Sequence, residues 1–149
     1  MSNNTLHIYT DGACAGNPGP GAWGVVMSFN GARKEMADFV HYTTNNQMEL
    51  TAPLAALNSL KETSRSYTIK IYSDSQYLIK GMNEWLNKWK RNGWRAKTGL
   101  VKNKALWEAL DKLNQLYDIE WIWVKGHASN ELNNRCDFLA KEQIKINGG

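Results

Sequence analysis

Cysteine is nearly missing from this chain, and long apolar runs, internal repeats and low-complexity tracts are missing altogether. The two cysteines, Cys14 and Cys136, are too few for a disulfide framework and sit in no zinc-ligand spacing, so neither a staple nor a structural metal is what holds the fold. A bridge between them has no support in the sequence. No stretch approaches the ~18 apolar residues of a membrane helix, and nothing at the amino end reads as a signal peptide. These absences predict a cytoplasmic setting with reduced thiols. Proline is scarce too: Pro18 and Pro20 fall in a glycine-rich turn, and Pro53 stands inside an otherwise helical pattern.

What is present begins with size. At 149 residues the chain is expected to form one domain, residues 1–149, and to need no further device to bury a sizeable core. Its formal charge of +4 conceals an asymmetry. Between Lys80 and Lys104, eight basic residues face the single acid Glu84, a net of +7, and the remainder of the chain is −3. A block this concentrated points to a polyanionic partner.

Along the chain, Leu6, Ile8 and Tyr9 have strand character, and Gly12 with Gly16-Asn17-Pro18-Gly19-Pro20-Gly21 supplies the turn beyond. Ala22–Phe29 reads as a second strand, and Asn30-Gly31 is a hairpin turn, so Arg33–Tyr42 is assigned to a third strand by elimination. Thr43 to Glu49 carries helix-start chemistry, and Met48, Leu50, Leu54, Leu57 and Leu60 give a helical stripe. Pro53 is expected to kink that helix or to confine its regular part to later residues. Thr68–Ser73 alternates as a strand, and Ser75 can cap a helix through Ile79. Trp85 and Trp89 lie four apart in the basic block, followed by Asn92-Gly93. A helix over Ala105–Leu116, a strand over Ile119–Val124 and a helix from about Glu131 to Ile146 complete the order. Strands first, then alternating helices and strands, imply an α/β fold with a mixed sheet flanked by helices.

Asp11 and Asp74 end strands, Glu49 opens a helix, and Asp137 follows the last strand and its loop; these are positions a sheet can bring together. A carboxylate at a buried strand end is costly unless a cation meets it, and four in contact would repel strongly. Oxygen-only ligands favour Mg²⁺ or Mn²⁺. The plain alternative for Asp11 is a surface aspartate opening a turn.

Tyr9-Thr10-Asp11-Gly12, Gly16-Asn17-Pro18-Gly19-Pro20-Gly21, Thr44 through Leu50, Ser73-Asp74-Ser75-Gln76-Tyr77, Trp123-Val124-Lys125-Gly126-His127 and Asn133-Asn134-Arg135-Cys136-Asp137 together resemble, in order and spacing, the type 1 ribonuclease H family. The likeness spans essentially the whole chain and is nearest the bacterial ribonuclease HI form, which retains a basic protrusion, here about residues 80–104. The resemblance implies a five-stranded mixed sheet of order 3-2-1-4-5. It implies an endoribonuclease that hydrolyses the RNA strand of RNA/DNA hybrids with two Mg²⁺ ions, leaving 5′-phosphate and 3′-hydroxyl ends, as a monomer. Asp11, Glu49, Asp74 and Asp137 would be the metal-binding acids, with His127 on a mobile loop aiding proton transfer or product departure. Cys14, Asn17, Asn45, Asn46 and Gln76 would follow the minor groove, where the 2′-hydroxyl marks the RNA strand, and Thr44 would meet a DNA phosphate. Trp85, Lys88, Trp89, Lys90, Arg91 and Arg95 would hold the DNA strand.

Each assignment has a plainer rival. The asparagines suit turns and caps, and tryptophans four apart suit a buried helix face. Two departures from the family pattern stand out: Asn134 replaces an acid that many relatives carry before the last aspartate, and Trp94–Val101 is shorter by a residue. Three competing functions remain: a binding module that grips hybrid or duplex RNA without cutting, an integrase-like DNA nuclease, and cysteine nucleophile chemistry at Cys14 or Cys136. The last lacks any activated partner in sequence.

Overall fold

The computed structural model describes residues 4–126 and 130–148. Three antiparallel strands open the chain: β1 (Thr5–Cys14), β2 (Gly19–Phe29) and β3 (Ala32–Thr43). Helix α1 (Asn45–Asn58) follows, then strand β4 (Thr68–Ser73), a short helix α2 (Gln76–Lys80), a π-turn at Gly81–Trp85 and helix α3 (Leu86–Asn92). A small ribbon, β5 (Arg95–Ala96) and β6 (Gly99–Leu100), leads to α4 (Lys104–Leu116), β7 (Asp118–Trp123) and α5 (Glu131–Asn147). The main sheet has the order β3-β2-β1-β4-β7, with β1, β4 and β7 mutually parallel. This is the expected order 3-2-1-4-5, the last strand being numbered seventh only because the ribbon precedes it. No described helix is long and apolar enough to cross a membrane.

Register places the chemistry. In the parallel pair β1/β4, Tyr9 lies opposite Tyr72, so Asp11 and Asp74, each two residues further on, stand just past the end of that pairing; Asp74 ends its strand as expected, but Asp11 does not, since β1 continues to Cys14 against β2. In the antiparallel pair β1/β2, Asp11 lies opposite Gly24. A Cβ on Gly24 would stand 2.3 Å from the Cys136 carbonyl oxygen, so the missing side chain is what lets α5 lie close over β2 and bring Asp137 towards Asp11.

Helix α1 departs from the expected one-sided stripe. Met48, Glu49, Leu50, Ala52, Pro53, Leu54, Ala56 and Leu57 are all buried, because the helix is held between the sheet on one side and α4 on the other. A helix buried on two sides is apolar nearly all round. Pro53 neither ends it nor restricts it to later residues: one helix runs from Asn45 to Asn58 with Pro53 inside. The hydrogen bond that proline forfeits is the one its N–H would have given the Glu49 carbonyl. The fully buried Ile8, Leu50, Leu57, Ile69, Ile71, Leu78, Trp107 and Leu110 form the centre of the core, each worth about 1.5–3 kcal/mol of transfer free energy.

Candidate active site

Four elements meet at the carboxyl edge of β1 and β4. Carboxylate oxygens of Asp11, Glu49 and Asp74 lie within 4.8 Å of one another. Asp11 and Glu49 are buried, at 5% and 6% exposure. Glu49 reaches the cluster because Thr44 starts α1 sharply: its hydroxyl accepts the Gln47 N–H at 3.1 Å, and the Gln47 side chain accepts the Thr44 N–H at 3.3 Å, a reciprocal cap. Gly12 lets β1 touch that first turn, since a Cβ there would stand 2.6 Å from the Glu49 nitrogen.

The electrostatics are those of a cluster short of positive charge. Burial pushes the Asp11 carboxyl up to about 8, with the charges of Asp74 and Asp137 adding to it, against a lowering hydrogen bond from the Gly12 N–H at 3.0 Å. Burial likewise raises Glu49 well above the usual carboxylate range, with Asp11 and then Asp74 adding. One Glu49 oxygen, Oε1, is buried with no hydrogen-bond partner. Asp137, on α5, is near enough to Asp11 to raise it, and forms an ion pair with Lys141 at 3.1 Å one turn later. A hard divalent cation fits this donor set: it would ligate oxygens only, satisfy the orphaned Glu49 atom and remove the repulsion.

Two neighbours of Asp74 belong to the motif Trp123–His127, which points only to His127 as a site residue. A Cβ on Gly126 would stand 2.6 Å from Asp74 Oδ2, so the segment after β7 presses directly on this carboxylate. The Trp123 indole N–H donates to the Asp74 carbonyl at 3.2 Å. His127, expected beside them, lies outside the described residues.

The remaining expected contacts fall into three groups. Asn17, Thr44 and Asn46 line a groove of about 260 Å³ together with Gln47, Lys102 and Asn103. Turn and cap chemistry coexists with that placement: the Asn17 side chain accepts the Asn45 N–H at 2.9 Å, and the Cys14 thiol faces the carbonyls of Thr43 and Gly19. Behind the groove, Gln47 donates to Asn103, which donates to the Tyr77 hydroxyl, which also accepts from the Trp107 indole. Asn103 was not singled out in the sequence, although this chain ties the starts of α1, α2 and α4 together. Trp85, Lys88, Trp89 and Arg95 line a second groove of about 440 Å³ with Asn92, Ala96 and Lys97. Trp89 also packs on Trp107 and Trp94, at centroid distances of 5.3 and 6.1 Å, so one face of it belongs to the core. Lys90 and Arg91 lie outside that lining, and Lys90 pairs with Asp111 on α4 at 3.1 Å. Gln76, the first residue of α2, lines a third groove with Trp123.

Residues 3–145 match the family model described as RNase H. The chain belongs to the ribonuclease H family. It is 50% identical over 143 residues to the ribonuclease HI of Shewanella oneidensis, covering 95% of this chain and 89% of that protein. It is 50% identical over 144 residues to the ribonuclease H of Acetivibrio thermocellus, covering 95% and 96%. Among solved structures, LC9-RNase H1, a type 1 RNase H with the type 2 active-site motif, superimposes with a TM-score of 0.84 at 28% identity over 95% of this chain and 72% of its own. The RNase H1 of the halophilic archaeon Halobacterium salinarum does so with a TM-score of 0.71 at 28% identity, over 95% and 98%. LC11-RNase H1, solved with an RNA/DNA hybrid, shares the fold at 23% identity, with a TM-score of 0.76 over 97% and 99%.

Ribonuclease H membership makes the chain a nuclease of the hydrolase class. Cys136 is buried, donates to the Tyr9 carbonyl at 3.1 Å, and has its thiol pushed far up in pKa by burial and then by Asp11. A thiol so placed stays protonated and inert. Both cysteines are free.

Proposed function

We propose that this ribonuclease H is an endonuclease that hydrolyses the RNA strand of RNA/DNA hybrids with two divalent cations, Mg²⁺ or alternatively Mn²⁺, leaving 5′-phosphate and 3′-hydroxyl ends. The observation that carries the reading is the Asp11, Glu49 and Asp74 cluster, with its unpartnered buried Glu49 oxygen and a raised Asp11 carboxyl. Asp11, Glu49, Asp74 and Asp137 would hold the ions. When bound, the cations supply an activated water and neutralise charge at the departing 3′-oxygen. Asp11 would be the ligand shared by this set, since the charges of both Asp74 and Asp137 act on it. Lys141 supplies a positive charge on Asp137. His127 is assigned to proton transfer or product departure.

Strand choice follows from what lies on either side of the acids. Cys14, Asn17, Asn45, Asn46 and Gln76 present amide, backbone and thiol groups suited to a minor groove bearing 2′-hydroxyls on one strand. Thr44, with Lys102 beside it in the same groove, suits a DNA phosphate. Trp85, Trp89, Lys88 and Arg95, grouped in the larger groove, suit the DNA backbone and sugars, while Lys90 and Arg91 add long-range attraction. A cytoplasmic monomer, residues 1–149 forming one catalytic domain with a basic protrusion, completes the reading.

The test is a labelled set of RNA/DNA, RNA/RNA and DNA/DNA duplexes of one sequence, with Mg²⁺ or with chelator. Cutting of the RNA strand of the hybrid alone, with metal alone, is the expected result. Hybrid bound yet left intact would identify a binding module, and cut DNA would identify an integrase-like nuclease.

A further inference from the structure

The basic block contains one acid, Glu84, and the structure puts it in the third groove rather than on the protrusion face. This groove of about 280 Å³ runs between α2, the π-turn and the end of β7, lined by Gln76, Ile79, Lys80, Glu84 and Trp123. Of its lining only Ile79 belongs to the buried core. Trp123 ends its strand with 46% of its surface exposed, and its indole is tethered through Nε1 to the backbone of Asp74. Lys80 and Glu84 are exposed and form no ion pair with another described residue. An aromatic face, a cation and a lone acceptor thus sit together, next to the acid cluster by way of the Trp123 hydrogen bond to the Asp74 carbonyl.

We infer that this groove seats one ribonucleotide of the RNA strand, flanking the linkage to be cut. The Trp123 ring takes the base or sugar face, the Lys80 ammonium takes a phosphate, and the Glu84 carboxylate accepts the 2′-hydroxyl. Proximity argues for the RNA strand: two walls of the groove adjoin Asp74, Trp123 through its indole hydrogen bond to the Asp74 carbonyl and Gln76 two residues on in the chain, whereas the Trp85 and Lys88 groove has no such tie to an acid of the cluster among the described residues. Glu84 argues for ribose. A carboxylate beside a polyanion is repelled by phosphate and gains only from a donor, and the ribose 2′-hydroxyl is the donor that deoxyribose lacks. An acidic peptide would present the wrong charge to Glu84 and bring no hydroxyl donor to it. The inference rests on the reading of the site as a hybrid ribonuclease.

Hybrids carrying a single 2′-deoxy substitution, moved one position at a time along the RNA strand, test it. Binding is titrated with chelator present, and cleavage is followed separately with Mg²⁺. Wild-type protein is expected to show one flanking position where loss of the hydroxyl weakens binding about 10-fold, a penalty that Glu84→Ala erases and Glu84→Gln partly keeps. Trp123→Leu is expected to raise KM about 10-fold with kcat little changed, Trp123→Phe to retain most of the affinity, and Lys80→Ala to lower the salt dependence of binding by about one phosphate contact. The same penalty profile in wild type and Glu84→Ala would overturn the subsite. So would a Trp123→Leu variant that loses kcat at unchanged KM, since that marks the indole as a positioning group for Asp74 alone. Hybrid bound with the expected profile but never cut would defeat the catalytic reading and leave the subsite standing.

Discussion

At the scale of the residue, Asp11 trades stability for function. Its carboxyl titrates near 3.8 unperturbed and at about 8 when folded, so between those values the native state holds a proton the unfolded chain has released. Its contribution to stability is whole below the lower value, is lost as pH rises through the folded one, and stays lost above it. Asp11→Asn is therefore expected to abolish cleavage and to raise the melting temperature of metal-free protein above pH 8 by a few degrees, about 1–3 kcal/mol. It should also flatten the decline in stability that wild type shows between acid and mildly alkaline pH. A variant that melts lower than wild type in chelator at high pH would contradict the crowded-acid picture. Gly126 is the other single-residue test. A methyl group there must displace the Asp74 carboxylate, so Gly126→Ala should lower kcat about 10-fold or more, a loss of at least ~1.4 kcal/mol in transition-state stabilisation, while the melting point moves little. Undiminished turnover would show that the close approach does not constrain the carboxylate.

At the scale of the element, the site depends on how closely helices approach the sheet. Helix α5 lies over β2 because Gly24 presents no Cβ to Cys136, and Arg135 fixes the same helix to β3 through a paired contact with Glu35 at 2.7 and 3.0 Å. Gly24→Ala is expected to cost about 1–3 kcal/mol in denaturant unfolding and to weaken divalent-ion binding as Asp137 moves off. A stable Gly24→Ala protein with wild-type ion affinity would show that α5 can shift at no cost. The protrusion gives a separate prediction. Because Lys90 is paired with Asp111, Lys88 and Arg95, which line the groove, should carry most of the local salt dependence. Lys88→Ala with Arg95→Ala should lower the slope of log affinity against log salt by about 1–2, and Lys90→Ala should lower it less. Equal effects from all three would mean that the block acts as a diffuse field.

At the scale of the molecule, the acid cluster and the basic block oppose each other, and divalent cations reconcile them. Mg²⁺ should raise the melting temperature of the whole protein, and by more at pH 8 than at pH 6, because cation binding must displace the proton held by the buried acids. Equal shifts at both pH values would remove Asp11 from the ion site. Much of this architecture was legible in the residues themselves. Period-two alternation in β4, the cap at Thr44, the Asn30-Gly31 turn and the charge block are local patterns, and each maps to its element because local chemistry is what the chain writes in order. Asp74 and Glu49 could be picked out because strand ends and helix starts are themselves sequence features, whereas Asp11, expected at a strand end, stands inside β1, which pairing with β2 carries on to Cys14. Closeness was not legible. That Pro53 is tolerated, that Trp89 gives one face to the core, that Gly24 and Gly126 are close approaches, and that Trp123 is tied to Asp74 depend on partners distant in sequence. The sequence by itself determined which elements form, in what order, and which residue types stand at their ends. The tertiary structure alone decided which of those ends meet, because register and helix packing are set by the fit of whole surfaces rather than by any one segment.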